Sequence, residues 1–492
     1  MSLNYNFIWL LCYLLVLVGL AGYGFHRLSI VYLYWKNRNN KPQPKARFQE
    51  LPVVTVQLPM FNEKFVVDRL LESVAALDYP QDKLEIQILD DSTDDTTEQC
   101  YRKVEELKSR GFDAVCIHRT DRTGFKAGAL EAATKVAKGE FLLILDADFV
   151  PEPDLLQKTI HFFTDENVGL VQTRWGHINR EYNLLTRIQG MYLDGHFAME
   201  QTARNRSGRF FTFNGTAGIW RKCVIGDAGG WSHDTLTEDM DLSYRVQLRG
   251  WRFIYLNDVV TPAELPVDMD GFKSQQHRWT KGSIQVCQKI LLDIWRSNAP
   301  LKAKVEATTH LTCNYSYLLL ALLCFLVYPI CTQRIPENET VFMWFVNVAL
   351  FFMTSVAVCI FYMSAQIVVR PKSWWKELPY LPLLLTLSVG MAVNNAKAVL
   401  EAIFGHQSAF VRTPKYGVDR KEDRRHVSQL KRNGYRAIKS VVIPVLEIAC
   451  GTFFLNLIII MIRQGHYLSP ILMIPFLGFY YTGFCSLAVS YT

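Results

Sequence analysis

Apolar residues cluster towards both ends of the chain, and the first cluster lies close to the amino terminus. Residues 7–25 form a run without a charged residue, which is long enough to cross a bilayer as a helix. Six Lys or Arg residues follow between positions 27 and 47, so the positive-inside bias places the next segment in the cytoplasm. A cleaved signal peptide is the alternative, but its positive charge would precede the apolar core. We therefore expect an N-terminal transmembrane helix within residues 1–30.

Residues 50–306 alternate short runs rich in β-formers with helical patterns, which predicts an α/β domain. The predicted strands are 53–58, 84–89, 141–145 and 169–172, and helices are expected at 66–76 and 124–137. Such alternation favours a mostly parallel sheet with helices on its faces. Ligands of these sheets bind at the carboxyl ends of the strands, so polar motifs at those ends are candidate site residues.

The last part of the chain, residues 307–492, is again dominated by apolar runs, at 311–331, 341–369, 381–393, 441–462 and 468–489. The run at 381–393 is short and has basic segments on both sides, so we expect it to lie at the interface or to re-enter. The other four, with the N-terminal helix, predict five crossings. This topology leaves the amino terminus outside and residues 404–440 in the cytoplasm, where 410–440 carry ten Lys or Arg against three Asp or Glu.

Composition agrees with this segregation, because 50% of the residues are hydrophobic while 20% are charged. The formal charge of +7 is modest for 492 residues and is typical of basic flanks of membrane spans; we expect no nucleic-acid partner. The 11 cysteines show no C-x-x-C spacing, so we expect them to act as small hydrophobic residues.

Two acidic pairs follow predicted strands. Asp90 and Asp91 close the run before them and can accept hydrogen bonds from a ribose or a base, although such residues also simply cap turns. Asp146 and Asp148 follow five apolar residues, and two carboxylates at a strand end can hold a hard divalent cation while phosphates complete its shell. Asp-x-Asp is common by chance, so the buried strand before it carries the argument.

Two further motifs lie nearer the second apolar region. Glu238 and Asp239 supply carboxylates that can act as a base, or that merely favour the first turn of a helix. In the segment 275–279, Gln275 shares a helix face with Arg278 or Trp279. Arginine suits a pyrophosphate and tryptophan a sugar ring, while the alternative is an Arg–Trp anchor at a membrane interface.

Together these motifs form an ordered series, at residues 58–63, 89–94, 126–129, 141–149, 213–221, 228–231, 238–242, 248–251 and 275–279. The series resembles the family 2 glycosyltransferases of the cellulose synthase superfamily, most specifically the cellulose-synthase-like A and C branch of (gluco)mannan and β-glucan synthases. The resemblance is close over residues 50–290 and extends to the membrane half only in layout. It implies a GT-A (Rossmann-like) cytoplasmic domain at residues 50–306, inserted between α-helical transmembrane segments.

The resemblance also implies roles for individual residues. The implied nucleotide-binding residues are Pro59, Glu63, Asp91, Lys126, Asp146, Gln275 and Arg278. Asp146 and Asp148 would hold Mg²⁺ or Mn²⁺, and Asp239, with Glu238 beside it, would be the base of a single inverting displacement. The implied acceptor-binding residues are Trp279, Asn214, Gly215, Thr216 and Asp241.

The cytoplasmic segment near residue 412 resembles the family's gating loop, which covers the bound nucleotide. Phe410, Arg412, Thr413 and Lys415 are the candidate gating residues. Arg412 and Pro414 depart from the commoner pattern, and a rigid proline puts the mobility of the loop in doubt.

The resulting hypothesis is a processive inverting β-glycosyltransferase that polymerises mannosyl or glucosyl units from a GDP- or UDP-hexose and translocates the growing polysaccharide. A non-processive enzyme acting on a lipid acceptor is the alternative, and a transporter without chemistry would leave the aspartates unexplained. We expect a multi-pass protein in contact with membrane lipid, in a bacterial plasma membrane or, in a eukaryote, the Golgi. The polar residues expected to face the sugar polymer or to pack between helices are Asn314, Tyr315, Tyr317, Asn347, Glu447 and Asn456.

Overall fold

The computed structural model describes residues 2–332, 349–350, 352–407, 412–419, 423, 427–430, 441–464 and 470–488. Helix α1, Ser2–Asn37, contains the predicted N-terminal apolar run and continues through the first basic residues after it. No proline interrupts these 36 residues, so the helix extends past the apolar segment.

A seven-stranded sheet forms the centre of the α/β domain. Its strands are β1 Val54–Met60, β2 Leu84–Asp90, β3 Asp113–His118, β4 Phe141–Ile144, β5 Val168–His177, β6 Gly218–Arg221 and β7 Arg252–Ala263, in the order β3-β2-β1-β4-β6-β5-β7. Strand β6 runs antiparallel to β4 and β5, and the other neighbours are parallel. The predicted mostly parallel sheet is therefore present, with all four predicted strands.

Three strands were missed because their patterns are weak. Strand β3 lies at the sheet edge and has exposed residues, β6 is only four residues long, and β7 contains a register shift opposite β5.

The strong sequence signal of β4 is explained by its burial on both faces. Leu143 packs in the hydrophobic core on one face of the sheet, while Leu142 and Ile144 pack in the core on the other face. A strand buried on both faces reads as a continuous apolar run.

Helices cover the sheet and connect it to the apolar part of the chain. They are α2 Val67–Ala75, α3 Thr96–Ser109, α4 Phe125–Val136, α5 Leu155–Thr159, α6 Leu184–Asp194, α7 Thr202–Arg206, α8 Lys222–Asp227, α9 Glu238–Leu248 and α10 Met269–Arg296. Short 3₁₀ turns occur at Gln81–Lys83 and Ile160–Thr164, and a π-helical turn at Gly195–Gln201 joins α6 to α7.

The apolar region that follows is mostly helical in its described residues. It contains α11 Leu301–Thr312, α12 Tyr315–Thr332, a π-turn Phe352–Val356, α13 Ala357–Val369, a 3₁₀ turn Trp374–Tyr380, α14 Leu381–Gly390, α15 Ala392–Ile403, α16 Val442–Arg463 and α17 Pro470–Ala488. In the described part of the chain, two helices are long and apolar enough to cross a membrane, Ile8–Asn37 and Val442–Arg463.

Two bent helix pairs raise that number to four if each pair is a single span. One joins α11 to α12 at a bend of 52°, and the other joins Trp374–Gly390 to α15 at a bend of 41°. The second pair contains the short apolar run at 381–393, and its bend is compatible with either a broken span or a re-entrant segment. The five-crossing topology and the non-crossing run remain predictions.

Candidate functional site

The carboxyl ends of β1, β2 and β4 form one wall of a pocket of about 200 Å³, which we call the strand-end pocket. All the predicted nucleotide and metal residues line it, together with both predicted catalytic carboxylates: Pro59, Glu63, Asp91, Lys126, Asp146, Asp148, Glu238, Asp239, Gln275 and Arg278. Parallel strands bring their carboxyl ends to the same edge, and this explains why motifs far apart in sequence meet here.

Asp146 and Asp148 each accept a hydrogen bond from a lysine ammonium. Lys126 Nζ lies 2.5 Å from Asp146 Oδ1 and also donates to the carbonyl oxygen of Gly215 at 2.9 Å. Lys415 Nζ lies 2.6 Å from Asp148 Oδ2. Burial disfavours both ammonium groups, but the nearby carboxylates outweigh it and raise the pKa of Lys126 and of Lys415. The pocket therefore holds positive charge close to its acidic pair.

The donor set fits a hard divalent cation only in part. No group of three or more His, Cys, Asp or Glu side chains suited to a metal occurs among the described residues. Asp146 and Asp148 supply oxygen ligands one residue apart and line the same pocket, and Mg²⁺ commonly takes one or two carboxylates with the rest from water and phosphate. The two aspartates therefore fit a metal whose shell a bound diphosphate would complete.

Helix α9 begins with the two candidate catalytic carboxylates. Asp239 Oδ1 accepts a hydrogen bond from the N–H of Met240 at 2.8 Å, which orients the carboxylate. Burial raises the pKa of Asp239 above its ordinary range, and the charge of Glu238 raises it further. Burial also raises the pKa of Glu238, against the charge of Lys126. A carboxylate with a raised pKa is a stronger base when ionised, as proton abstraction requires.

Gly215 lies directly against this carboxylate. Its φ of 79° is in the left-handed region, and a Cβ at this position would come within 3.1 Å of Asp239 Oδ2. Glycine thus permits both the turn and the close approach to Asp239.

Two predicted acceptor residues lie elsewhere. Thr216 is fully buried and its Oγ1 accepts the backbone N–H of Asp146 at 2.8 Å, so it orients the acidic pair. Asp241 is also fully buried and lies 2.7 Å from Arg245 and 2.9 Å from Lys289. Neither residue lines the pocket.

A second cavity, of about 600 Å³, begins at Asp239 and Trp279 and extends among the membrane-type helices. We call it the helix cavity. Asn214, Thr237, Asp239, Trp279, Trp175 and Leu193 line both cavities. Trp175 stacks on Phe197 with ring centroids 4.6 Å apart and lies 6.5 Å from the Trp279 ring. Aromatic side chains therefore line the junction of the two cavities.

Both charged and apolar side chains line the helix cavity. Arg27 pairs with Glu200, and Arg204 donates to Glu306 at 2.9 Å; all four side chains line the cavity or buttress its wall. The lining also includes the apolar side chains of Phe454, Leu472 and Pro475.

The polar residues expected in the membrane half divide between two roles. Asn314 and Tyr317 line the helix cavity, whereas Tyr315, Glu447 and Asn456 do not. Glu447 is fully buried and pairs with Lys273 of α10 at 2.5 Å. This contact favours a role in packing between helices over a role in facing the sugar polymer. Asn347 lies outside the described residues.

The segment 412–419 packs over the strand-end pocket, and its anchor, Glu264, was missed by sequence reasoning. Glu264 Oε1 accepts the N–H of Tyr416 at 2.9 Å, and its Oε2 accepts the N–H of Val418 at 3.1 Å. Its carbonyl oxygen accepts Lys415 Nζ at 2.9 Å. Burial raises the pKa of Glu264, against the charge of Lys415. A lone glutamate far from the loop in sequence offered no signal of this contact.

Among the predicted gating residues, Arg412, Thr413 and Lys415 line the strand-end pocket, while Phe410 lies outside the described residues. Arg412 lies 3.5 Å from Glu63. Burial raises the pKa of Glu63 to about 8, against the charge of Arg412. The described part of the loop is therefore in contact with the pocket.

Strained backbone occurs at the same site. In the described residues three non-glycine residues have positive φ: Asn62 at 54°, Phe125 at 48° and Ala217 at 56°. They follow β1, begin α4 and precede β6, beside segments that line the pocket. Such strain concentrates at functional sites because the surrounding structure must hold it.

Comparison with known proteins decides the family. Residues 52–282 match the model described as "Glycosyltransferase like family 2", and residues 218–464, half of the chain, match the model described as "Cellulose synthase". The chain belongs to the cellulose synthase family. The predicted resemblance is confirmed, and the nine ordered motifs of this cellulose synthase family member lie in the matched regions.

Two curated plant proteins are similar to it. The chain is 42% identical over 286 residues to "Glucomannan 4-beta-mannosyltransferase 2" of Arabidopsis thaliana, a match that covers 55% of this chain and 53% of that protein. It is 40% identical over 277 residues to "Glucomannan 4-beta-mannosyltransferase 1" of Oryza sativa subsp. japonica, with the same coverage. The aligned region spans about half the length of these curated relatives.

A solved structure shares the fold. The mannosyltransferase PcManGT from Pyrobaculum calidifontis, solved with GDP-Man and Mn²⁺, superposes with a TM-score of 0.57 at 20% identity. The match covers 80% of this family member and all of that chain. At this identity the likeness concerns the fold alone, and it confirms the α/β part of the fold prediction.

Proposed function

We propose that the protein is a processive inverting β-glycosyltransferase that polymerises mannosyl or glucosyl units from a nucleotide-sugar. One observation carries the proposal: the strand-end pocket and the helix cavity meet at Asp239 and Trp279. A donor in the first and a polymer in the second would have their reacting ends at this junction. The "Glucomannan 4-beta-mannosyltransferase" names of both plant relatives support a polysaccharide acceptor, and the GDP-Man in the structure of PcManGT supports a GDP-sugar donor.

Asp239 acts as the base in this proposal. Its Oδ2 lies against the Gly215 turn at the junction, and the carboxylate takes the proton of the acceptor hydroxyl while that oxygen attacks the anomeric carbon. The nucleoside diphosphate leaves from the opposite side of the sugar, so one displacement inverts the configuration. Trp279 offers its face to the terminal sugar of the acceptor.

The diphosphate would lie between the basic residues of the pocket. Lys126, Arg278 and the amide of Gln275 line the same space as the acidic pair, and cationic donors stabilise the charge that develops on a leaving diphosphate. Asp146 and Asp148 would hold Mg²⁺ or Mn²⁺. A bound metal would supply Lewis-acid stabilisation of the leaving group. The Mn²⁺ in the structure of PcManGT supports this choice of ion.

The helix cavity among the apolar helices supports a membrane arrangement as a further part of the proposal. We place the α/β domain in the cytoplasm as a GT-A domain inserted between transmembrane segments, with the helix cavity as the start of the polymer's path. The protein would then be multi-pass and surrounded by lipid. A bacterial plasma membrane, or a Golgi membrane in a eukaryotic cell, stays a prediction.

The deciding experiment uses the purified full chain in lipid nanodiscs. It is incubated with GDP-mannose, GDP-glucose, both together or UDP-glucose, each with Mn²⁺ or Mg²⁺ and with EDTA as control. Metal-dependent product of high molecular weight on gel filtration, cleaved by mannanase or glucanase, is the expected result. Label found only in a single-sugar lipid would overturn processivity, and transfer that EDTA leaves unchanged would overturn the metal assignment.

A further inference from the structure

An arginine that no motif pointed to lies at one end of the strand-end pocket. Arg122 belongs to the loop between β3 and α4, and its Cζ lies 3.4 Å from the ring centroid of Phe61. The Phe125 ring is 5.4 Å away. A guanidinium at such a short distance is in direct contact with the face of Phe61, and this contact restricts where its N–H groups point.

The structure leaves one donor of the Arg122 guanidinium without a partner among the described residues. Its Nε is buried and has no hydrogen-bond partner among the residues that the structure describes. The neighbouring Arg119 behaves differently, because its Nε and Nη2 donate to the two oxygens of Asp91 at 2.8 and 2.6 Å. One arginine thus fixes Asp91, whereas the other lines the pocket and has a buried Nε without a partner among the described residues. A buried donor without a partner is costly unless a ligand completes it.

The loop that carries Arg122 is held in place. Arg119 also donates to the carbonyl oxygen of Phe125 at 2.9 Å, which ties the start of α4 to the end of β2. The N–H and Oγ1 of Thr123 both donate to Asp121 Oδ1, at 2.9 and 2.7 Å. The guanidinium is therefore presented from a preorganised turn rather than from a loose loop.

Position in the pocket indicates which part of a nucleotide Arg122 would meet. Arg122 lines it together with Phe61 and Asp91, at the ends of β1 and β2. The acidic pair lies at the end of β4, and Lys126 of α4 contacts it at 2.5 Å from Asp146. If the diphosphate lies by the acidic pair, as the proposed function requires, the nucleobase lies at the Arg122 end.

We propose that Arg122 recognises guanine through its O6 and N7 atoms, and thereby selects a GDP-sugar over a UDP-sugar. The inference rests on the proposed nucleotide-sugar donor and adds the identity of its base. Guanine presents two acceptors on one edge, which match the parallel N–H donors of a guanidinium. Uracil has no second acceptor corresponding to N7, and adenine carries an amino donor beside its N7.

The alternative role for Arg122 is contact with phosphate. A phosphate contact would serve every nucleoside diphosphate equally, because the diphosphate is common to all of them. The two roles therefore differ in base dependence rather than in overall affinity, and nucleotides altered at a single atom can separate them.

The test measures binding of GDP, 7-deaza-GDP and UDP by isothermal titration calorimetry in Mn²⁺ buffer. The proteins are the wild type, Arg122→Gln, Arg122→Lys, and Arg102→Gln as a matched control at an exposed arginine on α3. The wild type and the control should prefer GDP over both 7-deaza-GDP and UDP by about tenfold, the usual effect of one bidentate base contact. Both Arg122 variants should lose about tenfold in GDP affinity, leave UDP affinity unchanged and no longer distinguish GDP from 7-deaza-GDP.

Equal losses for GDP and UDP in the Arg122 variants would overturn the proposal in favour of a phosphate contact. Equal affinity of the wild type for GDP and 7-deaza-GDP would overturn it without any variant, so the test holds even if a variant fails to fold. Binding is measured without a sugar donor or turnover. A protein that makes no polymer but discriminates these nucleotides would therefore refute the proposed function and leave this inference standing.

Discussion

The ammonium of Lys415 lies 2.6 Å from a carboxylate oxygen of Asp148, although 267 positions separate the two residues in the sequence. This contact joins the cytoplasmic loop near residue 412 to the end of strand β4. It means that the loop contributes a charge to the same space as the acidic pair, where a diphosphate and its metal would lie.

Replacing this lysine should impair catalysis rather than folding. Lys415→Met removes a charge-assisted hydrogen bond to Asp148 and a second bond to the Glu264 carbonyl, so we expect kcat/KM for the nucleotide-sugar to fall about tenfold or more. Lys158→Met, which removes an exposed lysine paired with Asp154, is the matched control. Initial rates of sugar incorporation give the comparison, and equal rates for the two variants would contradict the role of Lys415.

Asp239→Asn should abolish transfer while leaving GDP binding within about twofold of the wild type, because the amide cannot take a proton. Since burial raises the pKa of Asp239, and only the ionised form is a base, the rate should fall as the pH falls through a midpoint above the ordinary aspartate value of about 4. The charge of Glu238 contributes to that rise, so Glu238→Gln should move the midpoint to lower pH. An unchanged pH profile in Glu238→Gln would show that the fall in rate at low pH is caused by another group.

Glu264 should control how well the 412–419 segment is seated. Glu264→Ala removes acceptors for the N–H groups of Tyr416 and Val418, so we expect KM for the donor to rise about tenfold, with a smaller change in kcat. Glu264→Gln keeps one acceptor oxygen and should show an intermediate KM. Asp419→Asn, which removes only a more exposed partner of Arg69, is the control. A fall in kcat with no change in KM would argue for a different role.

Trp279 should affect product length more than the first transfer. Its ring lies at the junction of the two cavities, near the stacked pair of Trp175 and Phe197, so Trp279→Ala would weaken retention of the acceptor end between additions. We expect shorter products on gel filtration at a similar rate of donor consumption, and partial recovery in Trp279→Phe. Products of wild-type length from Trp279→Ala would refute the assignment.

Lys273 and Glu447 should stabilise the protein only as a pair. Lys273 Nζ is buried against Glu447, the carbonyl oxygen of Thr482 and Ser486 Oγ, and so connects α10 to α16 and α17. Breaking a buried pair leaves one unpaired charge, so Lys273→Met or Glu447→Gln should each cost about 3–5 kcal/mol. The double variant Lys273→Met/Glu447→Leu should recover much of this loss. Thermal unfolding in detergent measures all three, and additive losses in the double variant would show that the residues act independently.

The sequence by itself determined the chemistry of the site and the main elements that carry it. The doubly buried β4 shows as a continuous apolar run before Asp146, and the polar motifs that follow β1, β2 and β4 indicate the functional edge of the sheet, because both features depend on neighbouring residues. The tertiary structure alone decided which side chains meet across long separations. It placed Lys415 beside Asp148 and hydrogen-bonded the N–H of Val418 to Glu264. It also paired Asp241 with Arg245, outside the cavities, and stacked Arg122 against Phe61. These contacts depend on strand order and on how the helices pack, and local patterns of burial do not encode either.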